Sequence, residues 1–171
     1  MLIVGNDMKG VIETKGFLSS IFKMKDLGEV DTILGIRITR NSGGYVLSQS
    51  HYIERVLNKF SHSKLKEANT QFDPSIKWVK NVGRGVAQIE YAIAIRFLMY
   101  AMQCIRLDIA FVVRKLRRFT SNPSLEHWKT ISRILGFLKK TKNLALQYSK
   151  FPAIIEGYTD ASWISSVGDS K

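Results

Sequence analysis

The stretch from Tyr91 to Phe119, YAIAIRFLMYAMQCIRLDIAFVVRKLRRF, constrains this chain most, because it is an amphipathic, strongly basic block that covers most of two predicted helices, Gln88–Gln103 and Arg106–Thr120. At about 100° per residue, Ile109, Val112 and Leu116 share one arc of the second helix. Its arginines and lysines fall on the opposite side, and Phe111 lies among them. The block therefore predicts one side that packs into a core and one side that is exposed and strongly basic.

A fifth helix is predicted from Leu125 to Thr141, directly after the stop signal Ser-Asn-Pro-Ser. Pro123 cannot continue the preceding helix, and Ser124 can cap the next one. Its apolar arc lies opposite a cluster of three cations: Lys129, Arg133 and Lys140. If the fourth and fifth helices pack as an antiparallel pair, we expect their basic ridges to lie side by side.

The chain as a whole is basic, with a formal net charge of +12 over 171 residues. The segment 106–150 holds eleven basic and two acidic residues, so it carries +9 of that charge. Such clustering favours a polyanionic partner, with nucleic acid ahead of an anionic membrane surface. The alternative is a solvated helix face whose charge serves solubility alone.

Since no helix shows a base-reading pattern, the predicted binding is independent of base sequence and sensitive to salt. The cations predicted to contact backbone phosphates are Arg106, Arg114, Lys115, Arg118, Lys129, Arg133 and Lys140. The histidines are scattered and Cys104 is the single cysteine, so neither a zinc site nor an internal disulfide is indicated. The chain shows neither a signal-peptide pattern nor a membrane-length apolar run, which predicts an intracellular protein, cytoplasmic or nuclear, with no membrane partner.

The first half of the chain predicts a mixture of helices and strands. Helical spacing predicts helices over Lys9–Met24 and Gln49–Phe60, the latter with Ser48 or Ser50 as its cap. Alternation around the turn Asn41–Gly44 predicts a hairpin of Val30–Arg40 with Tyr45–Ser48. Segment 61–88, with weak periodicity, predicts an extended linker across the surface. Further strands are predicted at Met1–Gly5, Leu144–Tyr148 and Ile154–Tyr158.

Five segments, taken in order, resemble the Pol polyprotein of copia-type retrotransposons over essentially the whole chain. They are MLIVGND at the start, FKMKDLGEVDTILG over 22–35, GYVLSQSHYIERVLNK over 44–59, the block 91–119, and GYTDASW over 157–163. The resemblance implies an α+β fold in three parts. These are the C-terminal palm and hairpin of a reverse transcriptase over 1–87, a basic helical thumb-like or connection-like region over 88–143, and the start of a ribonuclease H-like domain over 144–171.

The resemblance also implies where the catalytic groups of the family lie. Its Tyr-Val-Asp-Asp motif directly precedes the strand that matches 1–4, and Asp160 matches the first acidic residue of its ribonuclease H domain. Both centres use several carboxylates around two Mg²⁺ ions, so Asp160 binds metal only in an intact site. We therefore expect this chain to have no complete catalytic centre and no cofactor of its own. The expected partners are an RNA–DNA hybrid and other parts of a Pol polyprotein.

Two alternatives to a binding fragment remain. One is a degenerate transposon relic that folds poorly and has no activity, and the other is an independent Mg²⁺-dependent enzyme. The first draws on departures from the family pattern, such as Arg96 where the family has glycine, because an arginine in a close-packed helix is costly.

Overall fold

The computed structural model describes residues 3, 5, 7–61 and 65–149, and within them the chain is α+β, as predicted. The helices are α1 (Met8–Ile21), α2 (Ser50–Lys59), α3 (Gln88–Cys104), α4 (Ala110–Leu116) and α5 (Leu125–Lys140). The strands are β1 (Thr32–Ile33), β2 (Ile36–Asn41), β3 (Gly44–Ser48) and β4 (Ala145–Ser149). The predicted strand Ile154–Tyr158 lies outside the described residues, as does most of the predicted strand Met1–Gly5.

The strands form one antiparallel sheet in the order β1-β2-β3-β4. The predicted hairpin is confirmed, with Asn41 opposite Gly44. Gly44 has a φ of +144°, and a Cβ there would collide with the backbone of Tyr148 on β4, so only glycine fits. The single strand expected over 30–40 was wrong, because Leu34 and Gly35 adopt positive φ values of 49° and 73° and separate β1 from β2.

The strand expected at 144–148 is found as β4, and it pairs with β3. The pairing runs from Ser48 opposite Ala145 to Gly44 opposite Ser149. The chain therefore returns after the four helices α2 to α5 to extend the hairpin sheet. The division of the chain at 144 into separate domains stays a prediction.

The core forms around α3, which contacts α2, α4 and α5 through apolar side chains. Tyr91 is fully buried, and its hydroxyl donates to the Leu116 carbonyl oxygen at 2.9 Å, tying α3 to the end of α4. The same burial raises the pKa of Tyr91. α4 makes its main contacts with α3, and α5 makes its main contacts with α2 and α3. The antiparallel pairing of the fourth and fifth helices is therefore not what the chain adopts.

Helix α1 begins where predicted, because the Asp7 carboxylate accepts from the amides of Lys9 and Gly10, both at 3.0 Å. Its apolar residues do not join the core. Phe17 is 64% exposed and Ile12 62% exposed, and α1 contains no buried residue. The helix is thus held mainly by its own backbone and cap, with apolar side chains exposed to solvent.

The predicted boundaries need two further corrections. The helix expected over 106–120 is divided into a 3₁₀ turn, the short α4 and a second 3₁₀ turn over Arg117–Phe119. Helix α2 has Gln49 as its N-cap, and this side chain makes no capping bond. The Ser48 hydroxyl instead accepts from the Ser50 amide at 3.2 Å.

Candidate nucleic-acid interface

An extended segment without helix or strand, residues 65–86, runs antiparallel to α5 along its whole length; we call it the strap. Near the end of α5, Lys139 Nζ donates to the Leu65 carbonyl at 3.5 Å. At the start of α5, the Val86 amide donates to the Pro123 carbonyl at 3.0 Å. The predicted surface linker is therefore confirmed, and its path is fixed by α5.

A glycine in α5 lets the strap approach the helix closely. A Cβ on Gly136 would collide with the Lys66 carbonyl oxygen and contact the Ala68 amide nitrogen at 3.5 Å. Both neighbours are backbone, which cannot rotate out of the way as a side chain can. The absence of a side chain at Gly136 is what allows backbone-on-helix packing here.

The start of α5 is held by a reciprocal cap. The Ser124 hydroxyl accepts from the His127 amide at 3.3 Å, and His127 Nδ1 accepts from the Ser124 amide at 3.0 Å. His127 is 1% exposed and stacks on Phe119 with ring centroids 4.0 Å apart. Burial lowers the pKa of His127, against smaller raising effects of its bond to the Val79 backbone and of the Glu126 charge. The Ser124 cap was predicted, whereas the role of His127 was not.

Arg106, the first of the seven predicted phosphate ligands, lies in the core. It is 1% exposed. Its Nε and Nη2 donate to the Asp108 carboxylate at 2.9 and 2.7 Å. Its Nη1 and Nη2 donate to the carbonyl and hydroxyl oxygens of Thr141 at 3.1 and 2.7 Å. Its guanidinium joins the corner after α3 to the end of α5, so the expectation of phosphate contact is corrected to a structural role.

The other six predicted cations reach the surface, and we call them the basic face. Three lie on α4 and the turn after it, and three on α5: Arg114, Lys115 and Arg118, then Lys129, Arg133 and Lys140. Five are exposed, and Lys115 is half-buried. The strap bridges the two sets, since Phe72 contacts Phe111 on α4 while Trp78 Nε1 donates to the Thr130 hydroxyl on α5 at 3.1 Å.

Several bonds hold the α5 part of the basic face to neutral groups. Arg133 Nη2 donates to the Thr70 hydroxyl at 2.8 Å, and Lys140 Nζ donates to the Asn69 side-chain oxygen at 2.5 Å. These bonds position the cations without neutralising them. Lys129 pairs with Glu126 at 2.7 Å, but both side chains are more than half exposed, so the pair contributes little energy.

Besides Glu126, an acidic side chain of the strap, Asp73, lies beside the basic face. Hydrogen bonds from the Ser75 hydroxyl and amide hold the pKa of Asp73 below its usual range, and the Arg133 charge adds to the effect. Asp73 therefore carries a negative charge beside Arg133 and offsets part of the local positive potential.

Three aromatic rings cross the basic face, and we call them the aromatic row. Phe111 and Phe72 have ring centroids 5.6 Å apart, and Phe72 and Trp78 are also 5.6 Å apart. Phe111 is 51% exposed, and Lys115 Nζ lies 5.8 Å from its ring centroid. Sequence reasoning noted that Phe111 sits among charges but missed the two strap aromatics. The available signal was the presence of two large aromatic residues in a segment with weak periodicity.

The described residues do not fit the Mg²⁺ site that the family resemblance implies. Within residues 3, 5, 7–61 and 65–149, no three His, Cys, Asp or Glu side chains are grouped so that they could hold a metal. Several carboxylates there have other partners: Asp7 caps α1, Asp26 pairs with Lys15, and Asp108 pairs with Arg106. Asp160 lies outside the described residues.

The structure also tests two further expectations, one about the burial of Arg96 and one about membrane-spanning helices. Arg96 is exposed on α3, with its guanidinium 5.6 Å from the ring centroid of Phe97, so the expected cost of burying it does not arise. In the described part of the chain, each helix is too short or too polar to cross a membrane.

Comparison with known proteins identifies the class of protein that this chain resembles. Residues 1–77 match the family model described as "Reverse transcriptase (RNA-dependent DNA polymerase)". The retrovirus-related Pol polyprotein from transposon TNT 1-94 of Nicotiana tabacum is 38% identical over 100% of this chain and 14% of its own length. The Arabidopsis thaliana Pol polyproteins from transposons RE1 and RE2 are 32% and 27% identical, each over 99% of this chain and 12% of their own length.

The chain therefore belongs to the family of retrovirus-related Pol polyproteins of copia-type transposons, as the five sequence segments predicted. It spans about one eighth of the length of these relatives. No solved structure matches this chain.

Proposed function

We propose that this stretch of a transposon Pol polyprotein binds the sugar–phosphate backbone of an RNA–DNA hybrid through the basic face. The observation that supports the proposal is the surface position of six predicted cations, three on α4 and the turn after it and three on α5, with the strap contacting both helices. The strap and α5 fix the positions of Arg133 and Lys140 through bonds to neutral oxygens. Cations held in position in this way bind phosphates and release counterions, whatever the base sequence.

The second part of the proposal concerns catalysis. We propose that this stretch contributes binding, and that two-metal phosphoryl transfer is not performed by the residues described here. Two-metal chemistry needs several carboxylates at one place. Several of the described carboxylates instead cap a helix, form ion pairs or accept turn hydrogen bonds. Other parts of a Pol polyprotein would supply the catalytic groups and are the proposed protein partner.

The binding proposal is tested by fluorescence anisotropy of a labelled RNA–DNA hybrid titrated with the protein at several salt concentrations. We expect tight binding at low salt and a linear fall of log K with log salt, with a slope of about −0.9 per phosphate neutralised. Hybrids of unrelated base sequence should bind alike. A folded sample that leaves the hybrid free at low salt would contradict the proposal.

The chemical part is tested by primer extension and hybrid cleavage in Mg²⁺. We expect product at the level of a no-protein control. Turnover that is abolished by Asp160→Asn would contradict it and would instead support an independent enzyme.

A further inference from the structure

The aromatic row lies where a nucleic-acid ligand of the basic face would lie, and backbone phosphate binding does not use it. Phe111 is on the charged side of α4, with 51% of its surface exposed. Its helix neighbours Val112 and Val113 are buried against α3 and face the core. Phe111 therefore keeps its ring at the surface, between cations of the same helix.

The ring of Phe111 is held in place by contacts that lead back into the core. Phe72 packs against it at 5.6 Å with a 43° tilt, and Phe72 is itself packed on the core cluster. Trp78 supports Phe72 from the other side at 5.6 Å and is anchored by its Nε1 bond to Thr130 at 3.1 Å. A ring fixed in this way loses little side-chain freedom when a ligand packs on it.

Positive charge flanks the row on both sides. Lys115 Nζ lies 5.8 Å from the centroid of the Phe111 ring, so a positive charge adjoins a ring that is half exposed to solvent. On the α5 side, Arg133 is bonded to Thr70, two residues before Phe72. Aromatic platforms beside backbone-binding cations are the arrangement that holds unpaired nucleotides, because every base has a π-face to stack.

A duplex cannot use such a platform well. Its bases already stack on one another inside the helix, whereas the bases of a single strand are free to stack on a protein ring. We infer that the surface formed by Phe111, Phe72 and the adjoining cations binds single-stranded nucleic acid by base stacking. This rests on the proposed function and names its ligand class: unpaired DNA or RNA, including a single-stranded extension of a hybrid.

The test compares two pairs of probes: a blunt hybrid with the same hybrid carrying an unpaired extension, and an oligothymidine strand with an abasic strand of equal phosphate number. Wild-type protein should bind the oligothymidine strand about tenfold more tightly than the abasic strand. Phe111→Leu should remove most of that difference while leaving the blunt hybrid and the abasic strand unchanged. Phe17→Leu, an exposed phenylalanine on α1, is the matched control and should change nothing.

Phe111→Trp supplies a second variant with a larger stacking surface, and it should keep or increase the preference for the base-bearing strand. Equal binding of oligothymidine and abasic strands by wild-type protein would overturn the stacking inference and leave phosphate binding intact. An equal loss of affinity for every probe in Phe111→Leu would also overturn it. Absence of binding to every probe at low salt would overturn the proposed function as well.

Discussion

Arg106 shows how a single residue can belong to a basic cluster in sequence and to the core in space. Its charge is matched by Asp108 and its remaining N–H groups by Thr141, so it was not available as a phosphate ligand. The helical angle could not reveal that Arg106 is buried, because this residue precedes α4. The direction of its side chain is set by Thr141 at the end of α5. The other six cations follow the helical angle and are at the surface, as predicted.

Replacement of Arg106 should therefore change stability more than binding. We expect Arg106→Gln to lower the free energy of unfolding by about 3 kcal/mol, because it leaves Asp108 and Thr141 without their charged partner. Arg114→Gln, at an exposed position, is the control and should stay within about 0.5 kcal/mol of wild type while weakening hybrid binding. Denaturant unfolding and anisotropy measure the two effects. A stable Arg106→Gln protein with weakened binding would restore the phosphate role.

His127 gives the cap of α5 a dependence on pH. Its Nδ1 accepts from Ser124, so the cap requires the neutral ring, and burial holds its pKa below the ordinary value of 6.5. The unfolded chain takes up a proton first, so the stabilisation is complete above about pH 6.5 and is lost as pH falls through the lower folded-state pKa. His127→Gln should make the free energy of unfolding depend less on pH between pH 5 and about 7, since glutamine can accept from the Ser124 amide without titrating.

His51, which is exposed on α2, supplies the matched variant for this measurement. We expect His51→Gln to keep the wild-type pH profile of unfolding. An identical profile in His127→Gln and wild type would show that the cap does not titrate.

At the scale of elements, the hairpin and most helix limits were predictable, because turn glycines, cap residues and apolar spacing are local signals. The hairpin turn 41–44 and the cap at Ser124 were correctly placed for this reason. The path of the strap and the pairing of β4 with β3 were not, because they depend on contacts between residues far apart in sequence. The aromatic row could not be predicted for the same reason, because it joins two strap residues to Phe111 on α4.

Gly136 tests whether the strap is packed on α5 as described. We expect Gly136→Ala to destabilise the protein by about 1–3 kcal/mol, since the new methyl group meets the backbone of Lys66 and Ala68. Gly16→Ala in α1 is the control, with nothing within 4 Å of the new Cβ, and should stabilise by up to about 1 kcal/mol through helix propensity. Thermal unfolding of both variants gives the comparison. Stabilisation by Gly136→Ala would show that the strap does not lie there.

At the scale of the whole molecule, the chain combines a continuous core with an apolar helix that the core does not use. The core around α3 argues for a cooperative fold and against a poorly folded relic. The apolar side chains that α1 exposes to solvent, among them Ile12, Phe17 and Ile21, are of the kind that promotes association. Apolar spacing correctly predicted the helix, but spacing cannot say whether a neighbour is present to cover it.

Replacement of Ile12, Phe17 and Ile21 by glutamine should raise the highest concentration at which the protein is still monomeric, as measured by sedimentation. The free energy of unfolding should change by less than about 1 kcal/mol in total, because no buried contact is removed. A loss of several kcal/mol would mean that α1 packs on the core in solution.

The central claim is that the basic face, and not the net charge of the chain, binds nucleic acid. The most direct measurement is the salt dependence of hybrid binding by two variants with equal loss of charge. One is Arg114→Gln, Lys129→Gln and Arg133→Gln on the basic face, and the other is Lys9→Gln, Lys23→Gln and Lys25→Gln near α1. We expect the first to reduce the slope of log K against log salt by about 2 to 3 and the second to leave it unchanged. Equal slopes in the two variants would show that binding follows overall charge and would contradict the account.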